Sequence, residues 1–293
     1  MRHLLSLSCG GYRFDLSENF YMTNPSPSMH RLSKVPTALL DALRQAHRLV
    51  IFSGAGMSSE SGIPTFRDAM HGLWAQFSPE ELATPEGWEA DPARVWAWYE
   101  WRRGLVMRAA PHAGHLALAQ LAVALSRFAG HDVVVDVVTQ NVDDLHERAG
   151  VKDVQHLHGS LFAPRCSACG QPGEFAGVSP LEPVASLAPP RCRYCQGFIR
   201  PGVVWFGESL PEEVWQRTDA LIAYCDVLLV VGTSGVVYPA AGLPVAARQA
   251  GKWVAEINPV VSELSTHANL HWQTTAAQGL SSLLATLTTQ GTS

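Results

Sequence analysis

Four cysteines carry the most specific spacing in the chain. Cys166 and Cys169 form one Cys-x-x-Cys pair, Cys192 and Cys195 form a second, and 22 residues (170–191) lie between them. Thiolates from two tight knuckles close a tetrahedron around zinc, and four of them leave no open position, so such a metal is structural. The intervening stretch is rich in Pro and Ala and needs a staple to fold. A redox pair and a chance recurrence are the alternatives for this spacing.

Three further groups of residues bear on chemistry. Gly54, Ala55 and Gly56 follow the apolar run 49–52, which reads as a buried strand. Glycines there let the backbone turn and approach a ligand. Ser58, Ser59 and Ser61 read as caps of a helix start, and strand, turn and helix N-terminus together make an anion site suited to a diphosphate. The dinucleotide fingerprint is incomplete: Ser59 stands at its third small position, and no acidic residue ends an obvious second strand. Gln140, Asn141 and Asp143 lie at the end of another apolar strand, placed either to reach a ribose and a carboxamide or to cap a helix. His158, in Leu-His-Gly-Ser, is either a general base for neutral pH or a structural hydrogen-bonder.

These residues need a scaffold, and the chain supplies an alternation of helix and strand. Leu39, Leu40, Leu43 and Ala46 recur at helical spacing. Asp91-Pro92 reads as a helix start, opening a helix rich in large side chains, with Trp96, Tyr99 and Arg103 packing in the core and the arginine reaching to solvent. A second helix opens near Pro111, and Val-Val-Val-Asp-Val-Val-Thr leads into Gln140. Strands at 225–231 and 252–257 end in Gly232-Thr233-Ser234 and Asn258-Pro259, with Cys225 in the core. Small or polar residues at the carboxyl ends of strands mark the ligand edge of an open parallel sheet. Residues 1–34 lack a period and read as a poorly ordered extension, not a signal peptide. The 293 residues suit a large and a small domain, and a formal net charge of −5 with no basic run excludes a nucleic-acid footprint. No run of eighteen apolar residues exists to span a membrane, and paired cysteines without a secretory signal point to metal and a cytoplasmic protein.

The stretch GAGMSSESGIPTFRD, residues 54–68, resembles the first NAD motif of the sirtuins, the NAD-dependent protein lysine deacylases. TQNVDDLHERAG (139–150), the His-Gly-Ser at 158–160, RPGVVWFGE (200–208) and GTSGVVYPAAGLP (232–244) then follow in the family's order, and the resemblance covers residues 35–287. It implies an α/β fold: a Rossmann-like parallel-sheet domain (35–73, 109–160, 203–293) with a helical module (74–108) and a smaller zinc-binding domain (161–202) inserted. It implies NAD contacts from Gly54, Ala55, Gly56, Ser61, Thr65, Phe66, Arg67, Gln140, Asn141, Asp143, Gly232, Thr233, Ser234, Asn258 and Ala276, and zinc on Cys166, Cys169, Cys192 and Cys195. The catalytic set it implies is His158 as base with Asn141 and Asp143, leaving His156 structural. The segment Val204, Trp205, Phe206, Gly207, Glu208 is expected to pair with the substrate backbone as an added strand, and Gly202 stands where the family usually carries Asn or His.

The implied partner is acylated lysine in a protein or peptide, and the reaction releases nicotinamide, free lysine and O-acyl-ADP-ribose. ADP-ribosyl transfer to a protein, or NAD sensing and consumption on the same scaffold, are the competing functions. Tyr99 and Arg102, three apart on one helix face, match the Tyr-x-x-Arg pair of sirtuins that prefer acidic acyl groups, and Ala83 matches their small residue beside the acyl chain. The expected cargo is succinyl and malonyl, with acetyl accepted.

Overall fold

In the computed structural model, the described residues are 33–65, 75–175 and 177–291. Six of the eight strands among the described residues make one all-parallel sheet: β1 (Arg48–Ser53), β2 (Val134–Thr139), β3 (Gln155–His156), β6 (Val227–Val231), β7 (Trp253–Ile257) and β8 (Leu270–Trp272). Their spatial order is β3-β2-β1-β6-β7-β8. Counted within this sheet that is the 3-2-1-4-5-6 order of the dinucleotide-binding fold, so the order reverses between β1 and β6. β4 (Gly159–Cys166) and β5 (Ile199–Val203) form a separate antiparallel pair.

The sheet is buried on both faces because its strands are apolar at successive positions. Leu49 and Ile51 point into one core with Leu229, Val231 and Ile257, while Val50 and Phe52 point into another with Leu228 and Val230. The two-residue period of a strand sends neighbours to opposite faces. The first core is covered by α1 (Thr37–Gln45), α6 (Ala113–Ala129) and α10 (Ala276–Gln290), and the second by α8 (Glu212–Tyr224) and α9 (Gly242–Gln249). Ser33, expected in the extension, is already tied down: its amide donates to Ser282 Oγ and its hydroxyl accepts from Trp272. Residues 1–32 of the expected extension lie outside the described residues. Among the described residues no helix is long and apolar enough to cross a membrane.

A third core joins the helical module to the β4–β5 pair. It contains Trp88, Val95, Trp96, Trp98 and Tyr99 together with Leu161, Cys166, Cys192, Ile199, Val203 and Trp205. The module comprises α3 (Pro79–Leu82), α4 (Pro85–Ala90) and α5 (Pro92–Arg108). As expected, Asp91 caps α5, accepting from the Arg94 amide, and Pro92 opens the helix. Arg103 departs from expectation. It is buried, forming a bidentate pair with Glu100 at 2.8 and 3.0 Å and lying 3.8 Å over the Phe175 ring. The same carboxylate accepts from Ser179 Oγ at 3.1 Å. The arginine stays inside because a carboxylate one turn away and a ring from the small module meet it there.

Removing one partner of a buried ion pair leaves an uncompensated charge. Glu100→Gln should lower unfolding stability by about 3–5 kcal/mol, read by denaturant titration. A loss under about 1 kcal/mol would mean that the buried charge of Arg103 does not depend on Glu100 for compensation.

Candidate active site

The site begins where the sheet order reverses. β1 ends at Ser53, and the chain turns through Gly54 and Ala55 into the short α2 (Gly56–Ser59). The Gly54 amide donates to Val231 O at 2.9 Å and the Gly56 amide to Gly232 O at 2.7 Å. A Cβ on Gly56 would stand 2.8 Å from Gly232 O, so only glycine allows the loops after β1 and β6 to touch. The serines do not cap α2 as expected: Ala55 occupies the cap position without a side-chain bond. They lie within or after the helix because it starts two residues earlier than the serine run. Ser59 bonds back to Gly56 O, and Ser61 Oγ is buried without a partner.

The loop after β2 is held by a chain of hydroxyls. Ser53 Oγ donates to Thr139 Oγ1 at 2.8 Å, which accepts from the Asn141 amide at 3.0 Å. His146, on α7 (Leu145–Arg148), reaches Ser53 Oγ through Nε2 at 2.9 Å. Burial pulls the His146 pKa down to about 4, so the ring is neutral and its Nε2–H donates. Gln140 bridges the reversal, Nε2 to Thr233 Oγ1 at 3.1 Å. Asn141 donates through Nδ2 to Ser58 Oγ at 3.1 Å. Burial pushes the Asp143 carboxyl above its ordinary value, opposed by the Leu145 amide and the Ser58 hydroxyl. Ser58 thus touches two of the three expected catalytic side chains, Asn141 and Asp143. Reading it as a cap missed this, although it stands at the fixed serine of the first motif.

His158 lies between β3 and β4, half-buried. Its Nδ1 is 3.0 Å from Gln140 O. A carbonyl only accepts, so Nδ1 carries the proton and Nε2 keeps its lone pair. Burial lowers the pKa below the ordinary 6.5, against the Gln140 bond, which raises it. The ring is therefore a neutral base at pH 7.

Among the other expected cofactor residues, Asn258 is committed to structure, donating to Thr233 O and Glu256 and accepting from the Val260 amide. Ala276 opens α10 behind the Thr275 cap, packed against Gly114. Ser234 is exposed and Thr233 buried. Thr65 is partly buried; Phe66 and Arg67 lie outside the described residues. His112, not expected, caps α6 through Nδ1 and reaches Met57 O at 2.6 Å, tying α6 to α2.

The segment expected to be a substrate-pairing strand is a turn. β5 stops at Val203, and Gly207 takes φ +86°. The Glu208 carboxylate accepts from the Trp205 amide and pairs with Arg200, which curls the segment back. The Val204 amide donates to His158 O and the Phe206 amide to Ala83 O, so the segment's pairing is with the chain itself. Gly202 tightens the β4–β5 contact, since a Cβ would stand 1.8 Å from Ala163 O. Trp205 Nε1 donates to the Tyr99 hydroxyl at 3.1 Å, and Arg102 Nη2 donates to Pro64 O at 3.3 Å. Ala83, Tyr99 and Arg102 are all buried.

The four cysteines converge as their spacing requires. Their Sγ atoms lie within 4.8 Å of one another, with 3.4 Å between Cys166 and Cys195 and 3.7 Å between Cys169 and Cys192. Thiolates on zinc at about 2.3 Å in a tetrahedron sit roughly 3.8 Å apart. The two knuckles are built alike: Ala168 and Tyr194 amides each point at the first sulfur of their pair at 3.4 Å, and Gly170 and Gln196 follow in left-handed conformation. The donor set and its spacing fit a structural zinc.

Residues 54–239 match the model described as the Sir2 family. The chain belongs to the Sir2 family. A protein of Corynebacterium glutamicum named NAD-dependent protein deacylase is 48% identical over 259 residues, covering 88% of this chain and 98% of that protein. The crystal structure of a Sir2 homologue in complex with NAD superposes with TM-score 0.77 at 41% identity, covering 89% of this chain and 97% of that one. A structure of Sir2 with a p53 peptide and NAD has TM-score 0.71 at 27% identity, covering 86% and 98%. As in an NAD-dependent member of this family, the glycine loops after β1 and β6 touch at the carboxyl edge of the sheet where the strand order reverses, the place where open parallel sheets bind ligands.

Metal analysis of the purified protein should give about one zinc per chain. The Cys166→Ser, Cys192→Ser variant should lose it and lose the fold of the β4–β5 module. Full folding and activity of that variant without metal would refute the structural role.

Proposed function

We propose that this chain is an NAD-dependent protein lysine deacylase that prefers short acidic acyl groups, succinyl and malonyl, and also accepts acetyl. Family membership and the glycine loops at the strand-order reversal support the reaction class. The acidic preference rests on one observation, the state of Arg102. The residue is 9% exposed, Nη1 is buried with no hydrogen-bond partner, and the charge lies 5.0 Å over the Trp98 ring. Burial pulls its pKa down, opposed by Tyr99 and Asp143, yet an arginine keeps its charge. A buried cation with an idle N–H is costly until an anion arrives. The carboxylate at the far end of a succinyl or malonyl group supplies that acceptor. The Tyr99 hydroxyl, accepting from Trp205, retains its proton because burial raises its pKa, and it can donate to the same carboxylate. Ala83 leaves room beside them.

NAD, when bound, supplies the ribose carbon that receives the acyl oxygen as nicotinamide departs. His158 accepts a proton at Nε2 from a hydroxyl brought to it, its ring aimed by the bond from Nδ1 to Gln140 O. Asn141 retains its Oδ1 acceptor while Ser58 anchors its amide nitrogen. The cysteine cluster takes no part.

A charge-assisted hydrogen bond contributes about 1.5–3 kcal/mol, which is on the order of 10 to 10² in selectivity. Arg102→Met should lower kcat/KM for succinyl-lysine peptides by that factor, mostly through KM, and leave acetyl-lysine nearly unchanged. An equal fall for both substrates would make Arg102 a structural residue and end the acidic-acyl reading.

His158→Ala should lower turnover by about 10² to 10⁴ with the fold intact. In the parent, protonation of His158 removes the base, so activity should fall as pH drops through a pKa below 6.5. Deacylation by the alanine variant at near the parent rate would remove the assignment.

A further inference from the structure

His156 stands two residues before His158, at the end of β3. Its Nε2 is 2.6 Å from Glu147 Oε1 and its Nδ1 is 3.0 Å from Asn141 O. Both partners only accept: a carbonyl oxygen has no proton to give, nor has an ionised carboxylate. A neutral imidazole has one N–H and satisfies one of them, whereas the imidazolium satisfies both. Immediately beside this contact, the Leu157 amide donates to Thr139 O and His158 Nδ1 donates to Gln140 O. Residues 156, 157 and 158 therefore grip 141, 139 and 140, and two of the three contacts run through histidine rings.

We propose that His156 is a positioning residue: held as the imidazolium by Glu147, it fixes the Asn141 carbonyl and so the 140–143 turn that carries the cofactor-facing side chains, and loss of its proton relaxes that turn. The proposal rests on the roles given above to Asn141, Asp143 and His158. Such a residue acts through the backbone of Asn141 and touches neither cofactor nor substrate.

The surroundings agree on the charge. From α7, Glu147 is the bonded carboxylate and His146 is neutral; from the turn, Asp143 adds a second negative charge nearby. From α8, which also packs on β3, Arg217 lies beside Asp136. Burial disfavours a charged His156, but the Glu147 and Asn141 contacts outweigh it and the pKa stands above the ordinary 6.5. Burial likewise opposes the Glu147 charge, and the bond to His156 nevertheless brings that carboxyl below its ordinary value. A histidine with a raised pKa holds its proton at neutral pH and loses it as pH rises through the folded value. The acid side of the activity profile therefore belongs to His158 and the alkaline side to His156.

The test is the pH dependence of kcat/KM for NAD, measured on the full chain with a saturating succinyl-lysine peptide. Glu147→Gln removes the charge without touching Asn141, and the alkaline limb should move about one unit toward acid while the acid limb stays. His156→Gln can donate in one direction only. It should flatten the alkaline limb and lower kcat/KM for NAD about tenfold at pH 7, mainly through KM. An alkaline limb that is unmoved in Glu147→Gln overturns the proposal. The ¹⁵N spectrum of the parent's histidine rings decides the matter without any variant: both His156 nitrogens protonated at pH 7 supports it, and a neutral tautomer refutes it. Failure of the His158 assignment would show separately, as an acid limb that survives His158→Ala.

Discussion

Two backbones touch where the sheet order reverses, and the rest of the site is hung from that contact. The Gly56 amide meets Gly232 O at 2.7 Å, and a Cβ on either glycine would fall within 3 Å of the opposite loop. Parallel strands diverge from a switch point and leave a crevice at their carboxyl ends. Here the crevice floor is backbone, so amides rather than side chains define it. Gln140 and Asn258 both reach across to Thr233, which fixes the loops after β2, β6 and β7 relative to one another. A side chain at Gly56 or Gly232 would separate the loops and misplace everything bonded across them.

Around that floor, polar groups are buried in an otherwise apolar molecule. Ser53, Thr139, Asn141 and Ser58 satisfy one another in sequence, which is what makes their burial tolerable. The exceptions are informative. Arg102 Nη1 and Ser61 Oγ lack partners, on residues that the family resemblance assigns to ligands; Thr218 Oγ1 and Ser281 Oγ also lack them, on residues it does not. His115 is fully buried with neither ring nitrogen bonded, and burial pulls its pKa to about 2, so the ring stays neutral in the core between His112 and His146. The two histidines near the reaction are treated oppositely by their neighbours. His158 has one carbonyl and is held neutral; His156 has a carbonyl and a carboxylate and is held charged.

Much of this was legible in the chain. The continuous apolar runs announced strands buried on both faces, and the small or polar residues after them marked the ligand edge. The cysteine spacing announced a closed tetrahedral cluster. What was not legible depends on contacts between distant segments. The family resemblance reads residues 204–208 as a strand that pairs with substrate, but in this chain Arg200 and Glu208 close them into a turn. The serines after Gly56 have the composition of a cap, yet the helix starts ahead of them, which frees Ser58 to hold Asn141 and Asp143. Arg103 lies on a helix that is buried nearly all round, a tertiary circumstance that periodicity alone cannot reveal. The pairing of Glu147 with His156 joins residues nine apart across a loop, and neither sits in a motif that names the other.

The most direct measurement is a panel of otherwise identical peptides carrying acetyl-, malonyl-, succinyl- and glutaryl-lysine, incubated with the purified protein and NAD. Nicotinamide, free lysine peptide and O-acyl-ADP-ribose would be quantified together. The account predicts equal amounts of all three products, no deacylation without NAD, and kcat/KM for succinyl and malonyl exceeding acetyl by about 10 to 10². Nicotinamide release with no deacylated peptide, or acetyl-lysine as the preferred substrate, would contradict it.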